Sequence, residues 1–257
     1  IVEDKAESGG QEHLYLETQG AFAVPTEGGG VRIVSSTQGP TAVQRTASRV
    51  LGLPMHLVEV DTLRLGGGFG GKEDQATPWA VMAAMAALAT KRAVKLVLPR
   101  QEDMRMTGKR HPYSSDFKIG LTKDGKILAF EATIYQDAGA AADLSPGVLD
   151  RTLFHCTNSY FIPNVRATGI SCKTNVPPNT AFRGFGGPQG TERCQAEHAW
   201  ESADAAFDIA TARKRVAAFN AANTLHKKGL AVQPICFGIS FTNTMMNQAS
   251  ALIHIYS

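Results

Sequence analysis

The tetrapeptide GFGG occurs twice in this chain, at Gly68–Gly71 and again at Gly184–Gly187. The first copy lies inside LGGGFGGKEDQ, Leu65–Gln75, where five of the first seven residues are glycine. Glycine reaches positive φ without steric cost and lets another group touch the main chain, but it loses more conformational freedom on folding than any other residue. Two such loops therefore constrain the fold to bring something close to bare backbone. One charged residue accompanies each: Glu73 follows the first loop and Arg183 precedes the second.

The rest of the composition narrows the classes. A net charge of +3 from 26 basic and 23 acidic residues is too small and too dispersed for a nucleic-acid surface. No stretch approaches the roughly 18 apolar residues of a membrane helix, and IVEDKAESGGQEH lacks the regions of a signal peptide, so a cytoplasmic location away from membranes is expected. Cys156, Cys172, Cys194 and Cys236 show no CxxC or zinc-finger spacing and read as free buried thiols. His56, His111, His155 and the other histidines show no ligand spacing and read as structural.

Period and punctuation place the loops between regular elements. His13–Val24 opens with the alternation HLYLET and reads as a strand, and Val31–Val34 as a second. Thr41–Leu51 sets Val43, Ala47, Val50 and Leu51 on one helical face, ended by Gly52 and Pro54. Leu57–Leu65 alternates and delivers the chain into the first glycine loop. Beyond it, Thr77 reads as a cap with Pro78 in the first turn of an Ala-rich helix. AVKLVLP reads as a strand, DFKIGLTKDGKILAFEATIYQDAG as two strands joined at Lys123-Asp124-Gly125, and Val165–Thr174 as another before the second loop. Thr191–Asn223 is helical and charged.

Gly66, Gly68 and Gly71 satisfy G-x-G-x-x-G between strand and helix, the context of a dinucleotide site. Three features weigh against an NAD-binding Rossmann domain. The preceding strand alternates rather than being apolar throughout, ATKRAVK offers no acid about twenty residues on to hold a ribose, and Glu73 would set a negative charge beside the pyrophosphate.

Taken together, GGGFGGKE and FRGFGGPQ resemble the molybdenum hydroxylases, specifically the molybdopterin-binding portion of the xanthine dehydrogenase and xanthine oxidase family. The similarity extends through GGQEHLYLE, STQGP, EDMRMTGKRHP, NTAFRGFGGPQG, KKGLAVQP and FGISFTNTMMNQASALIHIY. The resemblance implies an α+β fold of mixed twisted sheets with packed helices. It divides the chain into residues 1–190, most of a first molybdopterin-binding lobe; 191–222, a shortened helical connector; and 223–257, the truncated start of a second lobe. Both glycine loops are then similar walls around a molybdenum-molybdopterin cofactor, with Gly68, Gly70 and Gly186 giving main-chain approach. Gln38 in STQGP matches the glutamine whose amide approaches a metal-oxo ligand, and Phe69 matches the phenylalanine whose backbone lies against the metal; neither is a direct ligand. Glu73 and Arg183 match the charged pair expected to orient a purine and assist its chemistry, a pair that aldehyde oxidase relatives generally lack. Phe241, Thr242 and Val176 match pocket-lining positions.

The resemblance further implies hydroxylation of hypoxanthine or xanthine with water as oxygen source. Electrons would leave through 2Fe-2S centres and FAD on other domains or subunits of a longer, oligomeric parent enzyme. The family's catalytic glutamate lies downstream of this sequence, so the chain alone is expected to be inactive. A non-catalytic remnant serving as an interaction surface is the alternative reading.

Overall fold

The computed structural model describes residues 1–186 and 203–230. They divide into two compact units, one of residues 1–153 and 162–186, the other containing the described stretches 154–161 and 203–230. The architecture is α+β, as the sequence implies.

The first unit carries two four-stranded sheets. One has the order β4-β3-β2-β5: β2 (Gly20–Pro25) lies antiparallel to both β3 (Val31–Ser35) and β5 (Val94–Val97), and β3 runs parallel to β4 (Val58–Asp61). Helices α1 (Pro40–Leu51) and α2 (Thr77–Thr90) cover it. The core comprises Ala21, Ala23, Val31, Ile33, Val43, Ala47 and Val58 with Ala80, Val81, Ala83, Ala84 and Ala87 of α2. Ala80, Ala83, Ala84 and Ala87 lack bulk beyond Cβ, so α2 can lie close to the sheet while burying residues on several faces. α1 ends at Gly52 in the left-handed conformation (φ 67°), and Pro78 opens α2.

The other sheet has the order β1-β6-β7-β8. β1 (Val2–Ser8), β6 (Tyr113–Leu121) and β7 (Ile127–Gly139) are antiparallel neighbours, and β8 (Asn164–Lys173) runs parallel to β7. The turn between β6 and β7 contains Gly125 at φ 86°, as its sequence predicts. Short α3 (Arg100–Met106) and α4 (Ser145–His155) complete the helices around these sheets, and Leu149 and Leu153 of α4 lie against Gly169 of β8. The second unit contains α5 (Ile209–Ala222), started by Asp208, whose carboxylate accepts from the Thr211 N–H.

Several local expectations fail for identifiable reasons. HLYLET forms no strand: Tyr15 turns inward to donate to Asp103 Oδ1 (2.7 Å), and β2 begins only at Gly20. The fourth strand stops at Asp61. Thr77 lies inside α2, with Ala76 at the cap position and no side-chain cap. Val50 is exposed rather than on the buried face of α1, and the described cysteines, Cys156 and Cys172, are free but only half-buried. Strand β1, which sequence reasoning missed, is exposed at all seven residues and has no apolar face to betray it.

Candidate functional site

The first glycine loop is moored by a buried charge. Lys72 is fully buried, its ammonium donating to the Glu17 carbonyl (2.7 Å) and Ser36 Oγ (2.6 Å), pairing with Glu17 Oε2 (3.3 Å) and facing the Tyr15 ring. Burial lowers the Lys72 pKa, opposed by the Glu17 charge. Glu17 also accepts from the Gly66 N–H (2.8 Å), while Gln19 donates to the Gly71 carbonyl (2.9 Å). Both ends of the loop are therefore tied to the segment before β2.

Gln38 sits directly on this loop. Its Oε1 accepts from the N–H groups of Gly70 (2.8 Å) and Lys72 (3.3 Å). Two main-chain donors on one amide oxygen leave Nε2 as the outward group, and Nε2 has no partner among the described residues. A Cβ at Gly68 would stand 2.4 Å from Gln38 Oε1, so the amide lies in the space that glycine vacates. Further round, Phe69 adopts φ 54° and Gly70 φ 96°. The N–H groups of Gly67, Gly68 and Phe69 donate to no described residue. Three consecutive donors beside a free amide NH₂ suit an anionic or oxo-rich group.

The second loop meets the first through its main chain. Arg183 N–H donates to the Phe69 carbonyl (2.8 Å), and His13, next to Gly71, is hydrogen-bonded through Nε2 to the Ala181 carbonyl (2.7 Å). Arg110 supports the same turn, donating to the carbonyls of Phe182 (3.0 Å) and Arg183 (2.9 Å) while its guanidinium lies over the Phe182 ring. Gly186 packs on α4, where a Cβ would approach the Val148 carbonyl to 2.7 Å.

Glu73 follows the first loop at the cap position of a single 3-10 turn, Asp74–Ala76. Burial, with the charges of Asp74 and Asp143 added, raises its carboxyl pKa to about 7. Near neutral pH this group both donates and accepts hydrogen bonds. Arg183 is brought to the site by its backbone, but its side chain is exposed. The neighbouring Arg151 of α4 is only 4% exposed and lies over the Phe185 ring of the second loop, 4.6 Å from its centroid. Sequence reasoning missed Arg151, since it stands 32 positions before Arg183 in a helix with no motif; only its place in the fold marks it. Val176 is 44% exposed in the segment leading to the loop, with its carbonyl accepting from Ala140. Phe241 and Thr242 lie outside the described residues. No group of three or more metal-ligating side chains occurs among the described residues, and no described helix is long and apolar enough to cross a membrane.

Residues 1–201 match the family model of the molybdopterin cofactor-binding domain. The chain is 40% identical to xanthine dehydrogenase of Oryza sativa subsp. japonica over 297 aligned positions, covering 100% of this chain and 22% of the relative. It is 39% identical to xanthine dehydrogenase/oxidase of Felis catus, again with 22% of the relative covered. With 257 residues on one side, such an alignment means that these relatives carry stretches with no counterpart here. Among solved structures, the aldehyde oxidoreductase of Desulfovibrio gigas superposes with a TM-score of 0.65 at 31% identity, over 72% of this chain and 20% of that one. Quinoline 2-oxidoreductase of Pseudomonas putida 86 gives 0.64 at 25% identity, over 72% and 24%.

Proposed function

This chain belongs to the molybdopterin cofactor-binding domain family, and from that premise we propose that it is the molybdenum-binding portion of a purine hydroxylase of the xanthine dehydrogenase type. The chain spans about a fifth of the length of the curated relatives it matches, so the activity belongs to the full-length protein. The observation carrying the reading is the junction of the two glycine loops at Phe69 and Arg183, followed by Glu73, whose carboxyl titrates near neutral pH.

Gln38 Nε2 and the main chain at Gly67–Phe69 fit the oxo and phosphate oxygens of molybdenum-molybdopterin, with Gly70 and Gly186 keeping the walls close. When bound, that cofactor supplies the redox and oxygen-transfer chemistry. The chain's own residues then orient the substrate. A Glu73 carboxyl near its midpoint at neutral pH donates to one purine nitrogen or accepts from another. An arginine at the other end stabilises charge developing on a purine oxygen. Arg183 is the candidate from sequence, and Arg151 is the one favoured by burial. Val176, Phe241 and Thr242 would line the pocket. The 2Fe-2S and FAD groups, an oligomeric parent and a cytoplasmic location complete the proposal, as does inactivity of the chain alone.

The test is elemental analysis and purine turnover of the full-length protein, with R151A and R183A compared on a purine and a small aldehyde. One arginine should lower kcat/KM for the purine by a factor of about 10²–10³, with the aldehyde little affected. Absence of molybdenum would overturn the reading, and equal losses on both substrates would remove the purine.

A further inference from the structure

We propose that Asp143 is a positioning residue for the Glu73 end of the pocket: its carboxylate ties Gln75, two residues beyond Glu73, to Thr180, three residues before Arg183, and so fixes the spacing of the two loops. The inference rests on the reading of Glu73 given above. Asp143 Oδ2 accepts from Gln75 Nε2 (2.8 Å), and Oδ1 accepts from the Thr180 hydroxyl and the Leu144 N–H (2.7 Å). Gln75 uses its remaining capacity on the Pro178 carbonyl (3.1 Å) and the Gly108 N–H (3.0 Å). Thr180 is fully buried, and its N–H donates to the Lys109 carbonyl (3.0 Å). One carboxylate thus joins the segment after the first loop to the segment before the second.

The backbone reflects the demand, for Asp143 adopts φ 46°, a left-handed conformation that Asp and Asn tolerate best among residues with a side chain. Its charge also bears on Glu73. Burial, then Asp74 and Asp143, raise the Glu73 pKa; burial raises that of Asp143, against its three hydrogen bonds and with Asp74 adding to the rise. Among the described residues no cation is a named influence on either carboxyl, and the ammonium of Lys109 is engaged by Glu12 at 2.9 Å. A carboxylate placed to brace the loops therefore also disfavours ionisation of Glu73.

The test uses the full-length protein. The infrared difference between wild type and E73Q isolates the Glu73 carboxyl, whose pH midpoint is read without substrate. D143N keeps the left-handed conformation and an acceptor for Thr180 while removing the charge, and should lower that midpoint by about half a pH unit; an unchanged midpoint overturns the electrostatic part. T180A should raise KM for a purine several-fold with kcat less affected, and T180S should restore it. An equal kcat loss without recovery in T180S overturns the bracing, and this arm stands even if D143N does not fold. Should the wild-type enzyme fail to hydroxylate purines, the functional reading falls while the Glu73 midpoint still decides the role of Asp143.

Discussion

The two copies of GFGG are identical in letters and different in structure. In the first, positive φ falls on Phe69 (54°) and Gly70 (96°); in the second it falls on Gly184 and Gly186, both at 74°. Gly70 faces the Ala181 carbonyl of the segment leading to the other loop, whereas Gly186 faces the backbone and Arg151 side chain of α4. Phe69 is 46% exposed, while Phe185 lies beneath Arg151. The expectation of two similar walls is therefore corrected. Glycine permits many conformations, and the surroundings select among them: buried Lys72 and Gln38 for the first loop, Arg110 and α4 for the second. What the repeat encodes is close approach, since the third residue of each copy meets backbone nearer than a Cβ contact allows.

The largest expected effect tests that statement directly. Gly70→Ala places a Cβ 2.7 Å from the Ala181 oxygen at φ 96° and should cost about 3 kcal/mol, from conformational strain and overpacking together. Gly186→Ala meets equally close backbone but at the more tolerable φ of 74°, so about 2 kcal/mol is expected. Gly184→Ala has open space at the same φ and should lose only about 1 kcal/mol. Urea unfolding of the three variants gives the order; equal losses at Gly184 and Gly186 would show that φ alone, and not approach, distinguishes the copies.

The first loop also carries an electrostatic feature, for it is followed by a carboxyl that its surroundings push towards neutrality. The folded Glu73 pKa of about 7 lies above its ordinary 4.5, so the group withdraws stability as pH rises from 4.5 through 7. His111 has the opposite dependence. Burial, where it is hydrogen-bonded to Ser145, lowers its pKa from 6.5 to about 4, so stability is lost as pH falls through that window. E73Q should therefore stabilise the chain at pH 8 by about 2 kcal/mol and remove the decline between pH 4.5 and 7, leaving the loss that His111 causes as pH falls. Such a gain on neutralising one side chain marks a group held for function rather than for folding. No gain at pH 8 would make Glu73 an ordinary half-buried acid.

What sequence made legible follows the same division between pattern and placement. α2 could be read because Pro78 and a run of alanines declare a helix, and the β6–β7 turn because Gly125 supplies its left-handed residue. The strand read at Val31–Val34 from its apolar residues before a polar turn is found one residue longer, at Val31–Ser35. The segment at Tyr15 misled because an inward tyrosine on a loop imitates a strand face, its true partner Asp103 lying 88 residues away. Gln38 and Phe69 could be placed by resemblance, but the clasp of Gln38 on Gly70 and Lys72 depends on a loop bent back by a buried lysine, which no local spacing records. Arg151 and Asp143 escaped for the same reason: each reaches the glycine loops from a different stretch of chain.

The smallest effect concerns the aromatic residue that the two copies share. Phe69 holds a left-handed φ that costs a residue with a Cβ about 1–2 kcal/mol, while glycine there would forfeit about 0.5–1 kcal/mol of unfolded-state entropy. With Phe69 46% exposed, Phe69→Gly should leave the chain slightly more stable, by about 0.5 kcal/mol. The same change at Phe185, whose φ is not positive and whose ring packs under Arg151, should lose stability. Strain retained at an exposed position needs a use, and here it coincides with the three N–H groups of Gly67–Phe69, which have no partner among the described residues, and with the carbonyl that receives Arg183. Phe69→Gly in the full-length protein should accordingly weaken retention of molybdenum while the fold is preserved, measured as metal content after dialysis. Undiminished metal in a stabilised variant would show that the left-handed turn at Phe69 serves neither the fold nor the cofactor.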